Sequence, residues 1–185
     1  MDNAFSAIME KINDNDKSQM LIAIDGRCAA GKTTLAALLK KETDCNIIHM
    51  DDFFLRQEQR TLKRMEEPGG NVDYERVLEE VMLPLSKREP FSYRVFDCKR
   101  MELSSVIRIE PKAVTIVEGS YSCHPALWDF YDLHVFMSVE PKEQLERILR
   151  RNGEEAVSKF RDCWIPMEER YFTAYEIRER CDFVF

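Results

Sequence analysis

An eight-residue stretch, Gly26-Arg27-Cys28-Ala29-Ala30-Gly31-Lys32-Thr33, constrains this chain more than any other. It fits G-x-x-x-x-G-K-[ST], the phosphate-binding P-loop, which needs a strand before it and a helix after it. The pattern supplies both. Met20-Leu21-Ile22-Ala23-Ile24 reads as a buried strand, and Thr33-Thr34-Leu35-Ala36-Ala37-Leu38-Leu39-Lys40 as the opening of a helix. Gly26 and Gly31 allow the tight turn that aims successive amide hydrogens at one centre. Lys32 adds a point charge towards the β- and γ-phosphates of a nucleotide, and the Thr33 hydroxyl can hold Mg²⁺. Arg27, Cys28, Ala29, Ala30 and Thr34 complete the candidate nucleotide-binding set. A glycine-rich turn that merely capped a helix would not require Lys32 beside Thr33.

The remaining composition narrows the class. The 185 residues suit one domain with a substantial core, and the expectation is a single unit over 1–185. A net charge of −7 leaves no basic surplus to neutralise a nucleic-acid backbone, so a small-molecule partner is expected instead. Six cysteines, at 28, 45, 98, 123, 163 and 181, form no C-x-x-C pair and have no His at ligand spacing. They read as reduced thiols of a cytosolic protein. Met1-Asp2-Asn3-Ala4 lacks the pattern of a signal peptide, and no apolar run approaches bilayer length. A soluble cytoplasmic protein without a membrane partner is expected; oligomeric state is left open.

Along the chain, Phe5, Ile8, Met9 and Ile12 predict an amphipathic helix ahead of the first strand. Asn46–Met50 predicts a second strand that ends in Asp51-Asp52. Residues 56–71 are charged and contain Pro68-Gly69-Gly70, the pattern of a loop near the site. Asp73 is placed to cap a helix that carries Tyr74, Val77, Leu78, Val81 and Met82. Alternation at 91–96 and again at 106–110 predicts an inserted β-ribbon over about 90–110. Further strands are expected at 113–119, 133–139 and 182–185. A helix starting at Pro141 brings Arg147, Arg150 and Arg151 to one face. Trp164, Tyr171, Phe172 and Tyr175 read as packing for the last helical stretch. Strands alternating with helices imply a parallel sheet with right-handed crossovers.

No Asn-Lys-x-Asp guanine reader, helicase-like arginine array or Ser-Gly-Gly signature is present. In order, however, the chain carries Ile24-Asp25-Gly26 through Thr34, Met50-Asp51-Asp52-Phe53-Phe54, Asp73-Tyr74-Glu75-Arg76, Tyr93 to Asp97, Val117-Glu118-Gly119 and the Arg147–Arg151 cluster. These pieces span most of its length, and together they resemble the uridine kinase/phosphoribulokinase-like family of P-loop kinases. The resemblance implies an α/β three-layer sandwich around a five-stranded parallel sheet of order 2-3-1-4-5, with the ribbon and a short lid at about 150–162. It implies ATP or GTP as phosphoryl donor, and Mg²⁺.

By the same resemblance, Asp51 matches the acid that accepts the substrate hydroxyl proton, although a carboxylate there can also cap a helix or reach Mg²⁺ through water. Glu118 matches the acid that organises Mg²⁺ beside Thr33; a buried Glu satisfied by backbone donors is the alternative. Arg147 and Arg151 match lid arginines that stabilise transferred-phosphoryl charge, against a solvated basic face paired with glutamates. Asp73 and Tyr93 match positions that contact the acceptor, against a plain N-cap and a packed ring. Three departures separate the chain from true uridine kinases: Asp97-Cys98 where those keep a base-contacting His, no Asp-His-Pro before Asp73, and a short lid. The expected activity is phosphorylation of a hydroxyl, foremost on a nucleoside. The alternatives are another small alcohol such as pantothenate or a sugar phosphate, or a nucleotide-binding regulatory module without an acceptor.

Overall fold

The computed structural model describes residues 1–185. Helix α1 (Asp2–Asn13) precedes strand β1 (Met20–Gly26), the P-loop turn and helix α2 (Lys32–Glu42). Strand β2 (Cys45–His49) leads into a 3₁₀ turn at Met50–Phe53 and then into α3 (Leu62–Glu66), α4 (Tyr74–Val77) and α5 (Leu83–Lys87). Strands β3 (Phe91–Asp97) and β4 (Glu102–Ile109) pair only with each other, antiparallel. After β5 (Val114–Glu118) and β6 (Leu133–Met137) come α6 (Pro141–Asn152), α7 (Glu154–Lys159), α8 (Ile165–Ala174), α9 (Ile177–Arg180) and β7 (Phe183–Val184).

The five remaining strands form one parallel sheet ordered β2-β5-β1-β6-β7. The order therefore reads 2-5-1-6-7 rather than the expected 2-3-1-4-5, because the two ribbon strands take the third and fourth places in the chain. β1 lies at the centre with all seven residues buried, as a parallel strand covered on both faces must. Its side chains diverge. Met20, Ile22 and Ile24 pack with Ala4, Ile8, Leu35 and Leu39 beneath α1 and α2, while Leu21 and Ala23 join Val77, Val81, Tyr171 and Phe172 on the other face. Each fully buried aliphatic side chain contributes about 1.5–3 kcal/mol, so both layers hold the sheet.

Two segments are more ordered than their composition suggests. Within 56–71, Arg64 donates to the carbonyls of Gly70 and Val72 and pairs with Glu75, which fixes α3 against α4. From Glu154 to Ala174 the chain stays helical, with a π turn at Phe160–Trp164 joining α7 to α8. A second π turn, at Leu78–Met82, joins α4 to α5. None of the helices is long and apolar enough to cross a membrane.

The P-loop leaves β1 through Gly26 at φ +126°, where an added Cβ would lie 2.0 Å from the Met137 carbonyl oxygen of β6. Gly26→Ala is therefore expected to lower the unfolding free energy by at least about 3 kcal/mol, since a strained φ and a backbone clash coincide. Denaturant unfolding measures this; a loss below about 1 kcal/mol would show that the β1–β6 approach is not fixed there.

Candidate active site

The C-terminal ends of β1, β2 and β5 open onto one cavity of about 810 Å³. Its wall brings together Lys32, Thr33 and Thr34 from the P-loop, Asp51 from the turn after β2, Glu118 from β5, and Arg147 and Arg151 from α6. Open parallel sheets bind ligands at this edge because the strand ends diverge there and helix N-termini face it. The loop is closed by local geometry: Ala29 at φ +60° and Gly31 at φ +95° curl the backbone into α2. Lys32 Nζ donates to the carbonyls of Gly26 at 2.6 Å and Arg27 at 2.8 Å. Arg147 donates to Ala29 O at 2.9 Å, and Gln144 Nε2 to Cys28 O at 3.1 Å, so α6 backs the loop.

Thr33 Oγ1 donates to Glu118 Oε1 at 3.0 Å, and His49 Nδ1 meets the same oxygen at 2.6 Å. This contact with Glu118 raises the His49 pKa. The adjacent hydroxyl and carboxylate fit Mg²⁺, which takes one or two protein oxygens and completes its shell with phosphate and water. Asp51 is exposed to the cavity although protein surrounds it. Desolvation, and then the charge of Glu118, push its carboxyl above the usual range, while Lys32 and Arg151 oppose the shift.

Arg150, on the expected basic face, lies outside the cavity wall, as Arg161 does; Arg161 pairs with Asp162. Asp73 and Tyr93, expected at the acceptor, do not line this cavity. Both are almost fully buried. Asp73 Oδ1 caps α4 at Arg76 N and its Oδ2 accepts from Gln59 Nε2, whereas the Tyr93 hydroxyl donates to Asp52 Oδ2 at 3.1 Å. Their polar atoms are consumed in holding the turn that presents Asp51.

Phe54, Arg60, Asn71, Cys98, Met101 and Trp164 line the cavity as well. Arg60, Asn71 and Met101 do not stand out in the sequence, since they come from separate parts of the 56–71 segment and from the β3–β4 turn. Nor does Asp25, which is fully buried just before the P-loop. Its carboxylate accepts from the amides of Gly26 at 2.6 Å, Tyr121 at 3.1 Å and Cys123 at 2.9 Å, and from the Tyr171 hydroxyl at 2.8 Å. Burial pushes Asp25 up to about 6, opposed by the Cys123 and Gly26 amides, the Lys32 charge and the Tyr171 hydroxyl. Asp25→Asn turns one acceptor oxygen into a donor facing donors and is expected to cost about 3 kcal/mol of stability. Unfolding unchanged within 0.5 kcal/mol, on the order expected of an inert surface site, would show that the network is not needed.

No family model matches the sequence. A uridine kinase of Ureaplasma parvum serovar 3 is 27% identical over 176 residues, covering 85% of this chain and 84% of that protein. Among solved structures, one described as a possible uridine kinase from Bacillus stearothermophilus superposes with a TM-score of 0.75 at 18% identity, covering 99% of this chain and 97% of that one. In sequence the chain is similar to proteins named uridine kinase, and in fold to P-loop kinases. Phosphoribulokinase from Rhodobacter spheroides shares the fold at a TM-score of 0.55 and 14% identity, over 85% of this chain and 65% of that one. The likeness in fold covers 99% of the chain.

Proposed function

We propose that the protein transfers the γ-phosphoryl group of ATP to a hydroxyl of a small molecule, with a nucleoside as the first candidate. One observation carries this reading: Asp51 faces the same cavity as Lys32 and Thr33. A nucleotide-binding module needs the cradle alone, whereas a kinase also needs a carboxylate beside the terminal phosphate to orient the attacking hydroxyl. Lys32 and the loop amides hold the phosphates. Arg147 and Arg151 stand where they can offset charge developing on the transferred group. Thr33 and Glu118 would hold Mg²⁺, which neutralises phosphate charge when bound. Asp51 accepts the hydroxyl proton. The nucleoside acceptor is favoured by similarity to a protein named uridine kinase.

Asp51→Asn is expected to leave folding and ATP binding intact and to slow transfer by roughly 10²–10⁴-fold. Because Asp51 acts as its carboxylate and its pKa is raised, turnover should climb with pH on the acid side, with its midpoint above that of an ordinary Asp. Near-normal turnover in the variant would remove Asp51 as the base. The acceptor is found by incubating the protein with ATP and a panel of nucleosides, sugar phosphates and pantothenate and detecting phosphorylated product. ATP binding with no product from any of them would favour the regulatory module.

A further inference from the structure

Beyond the cradle residues, one acidic side chain reaches into the P-loop from far along the chain. Glu168, in the first turn of α8, is 5% exposed and lines the cavity. Its Oε2 accepts the Cys28 amide at 2.9 Å, and its Oε1 accepts the Ser120 hydroxyl at 2.7 Å. Ser120 Oγ is in turn 3.4 Å from Lys32 Nζ. The Cys28 amide belongs to the loop whose N–H groups form an anion cradle, so a carboxylate holds a donor that a phosphate oxygen would otherwise take. A buried carboxylate is costly unless its oxygens are paired, and here each oxygen has one donor.

The neighbouring contacts fasten the same helix to the same loop. Arg27 forms a two-pronged pair with Glu169, at 2.6 and 3.2 Å, and Tyr171 reaches Asp25 immediately before the loop. Glu168 makes no ion pair, unlike Glu169, and both of its hydrogen-bond donors are neutral, with the Arg27 charge further off. Burial, reinforced by the Glu168 charge, pushes the Cys28 thiol up to about 12.

We propose that Glu168 is a resident anion of the P-loop that competes with the terminal phosphate of the incoming nucleotide and so makes affinity depend on how many phosphates the nucleotide carries. Binding of a triphosphate then requires Glu168 to release Cys28 or to tolerate a second anion beside it. Either course sets the position of α8, and with it the π turn that carries Trp164 to the cavity. The inference rests on the proposed nucleotide site but not on any acceptor.

The test is calorimetric titration of the full-length protein with adenosine, ADP and ATP, with no acceptor present. Glu168→Gln keeps the shape and removes the charge. It should bind ATP about tenfold tighter than the wild type, ADP less than tenfold tighter, and adenosine equally. Glu168→Ala, which leaves no polar group to bury, should give the same gradation if the Gln variant folds poorly. Glu169→Gln removes an equal charge one residue away and should give no such gradation. Unchanged or weakened ATP binding in both Glu168 variants would overturn the proposal, as would an equal gain for all three ligands or the same gradation in Glu169→Gln. Any of these results leaves transfer through Asp51 untouched, whereas loss of transfer in Asp51→Asn leaves the titration readable.

Discussion

The adjacent Gly26 amide and three donors from two distant segments converge on the Asp25 carboxylate, and the rest of the site is arranged around that junction. The Gly26 amide fixes the exit of β1, the Tyr121 and Cys123 amides fix the turn after β5, and the Tyr171 hydroxyl fixes α8. The turn is strained: Tyr121 adopts φ +75°, a conformation that costs a bulky residue on the order of 1–3 kcal/mol. An acceptor with two oxygens opposite two amides offsets that strain. Placing Glu118 against Thr33 and Ser120 near Lys32 is the outcome, since both belong to the chain entering this turn.

Around that junction the cavity separates its charges by partner. Glu118 is held by a hydroxyl and a histidine, Glu168 by an amide and a hydroxyl, and Asp51 by no hydrogen bond at all, only by more distant cations. Three carboxylates in one cavity thus have three environments. A carboxylate committed to hydrogen bonds is poorly placed to take a proton from substrate, and Asp51 is the one left uncommitted. Asp52, its neighbour in sequence, is tied up by the Tyr93 hydroxyl.

The phosphate end is legible in the sequence because its residues are local. The P-loop is one contiguous motif, Glu118 ends an apolar strand, and Arg147 and Arg151 keep to helical spacing. The acceptor end is not. Asp73 and Tyr93 sit at matching positions in the motif order, yet their side chains turn inward, and only packing decides that direction. Glu168 cannot be read either, as its contact spans 140 residues and its sequence neighbours Glu169 and Arg170 look like an ordinary charged helix. Trp164, which helical spacing assigns to packing, instead lines the cavity, because the π turn adds a residue to the helical repeat and rotates the side chains at its end.

The ribbon and the 56–71 segment meet the cavity as a separate wall. Arg60, Asn71, Cys98 and Met101 come from these two insertions, whereas the cradle comes from the sheet edge and α6. β3 and β4 form no ladder with the central sheet. Substitutions or changes of length in that wall can therefore accumulate without disturbing the strand registers that position the P-loop. Such a division lets one wall of the cavity change its chemistry while the P-loop half of the molecule stays constant.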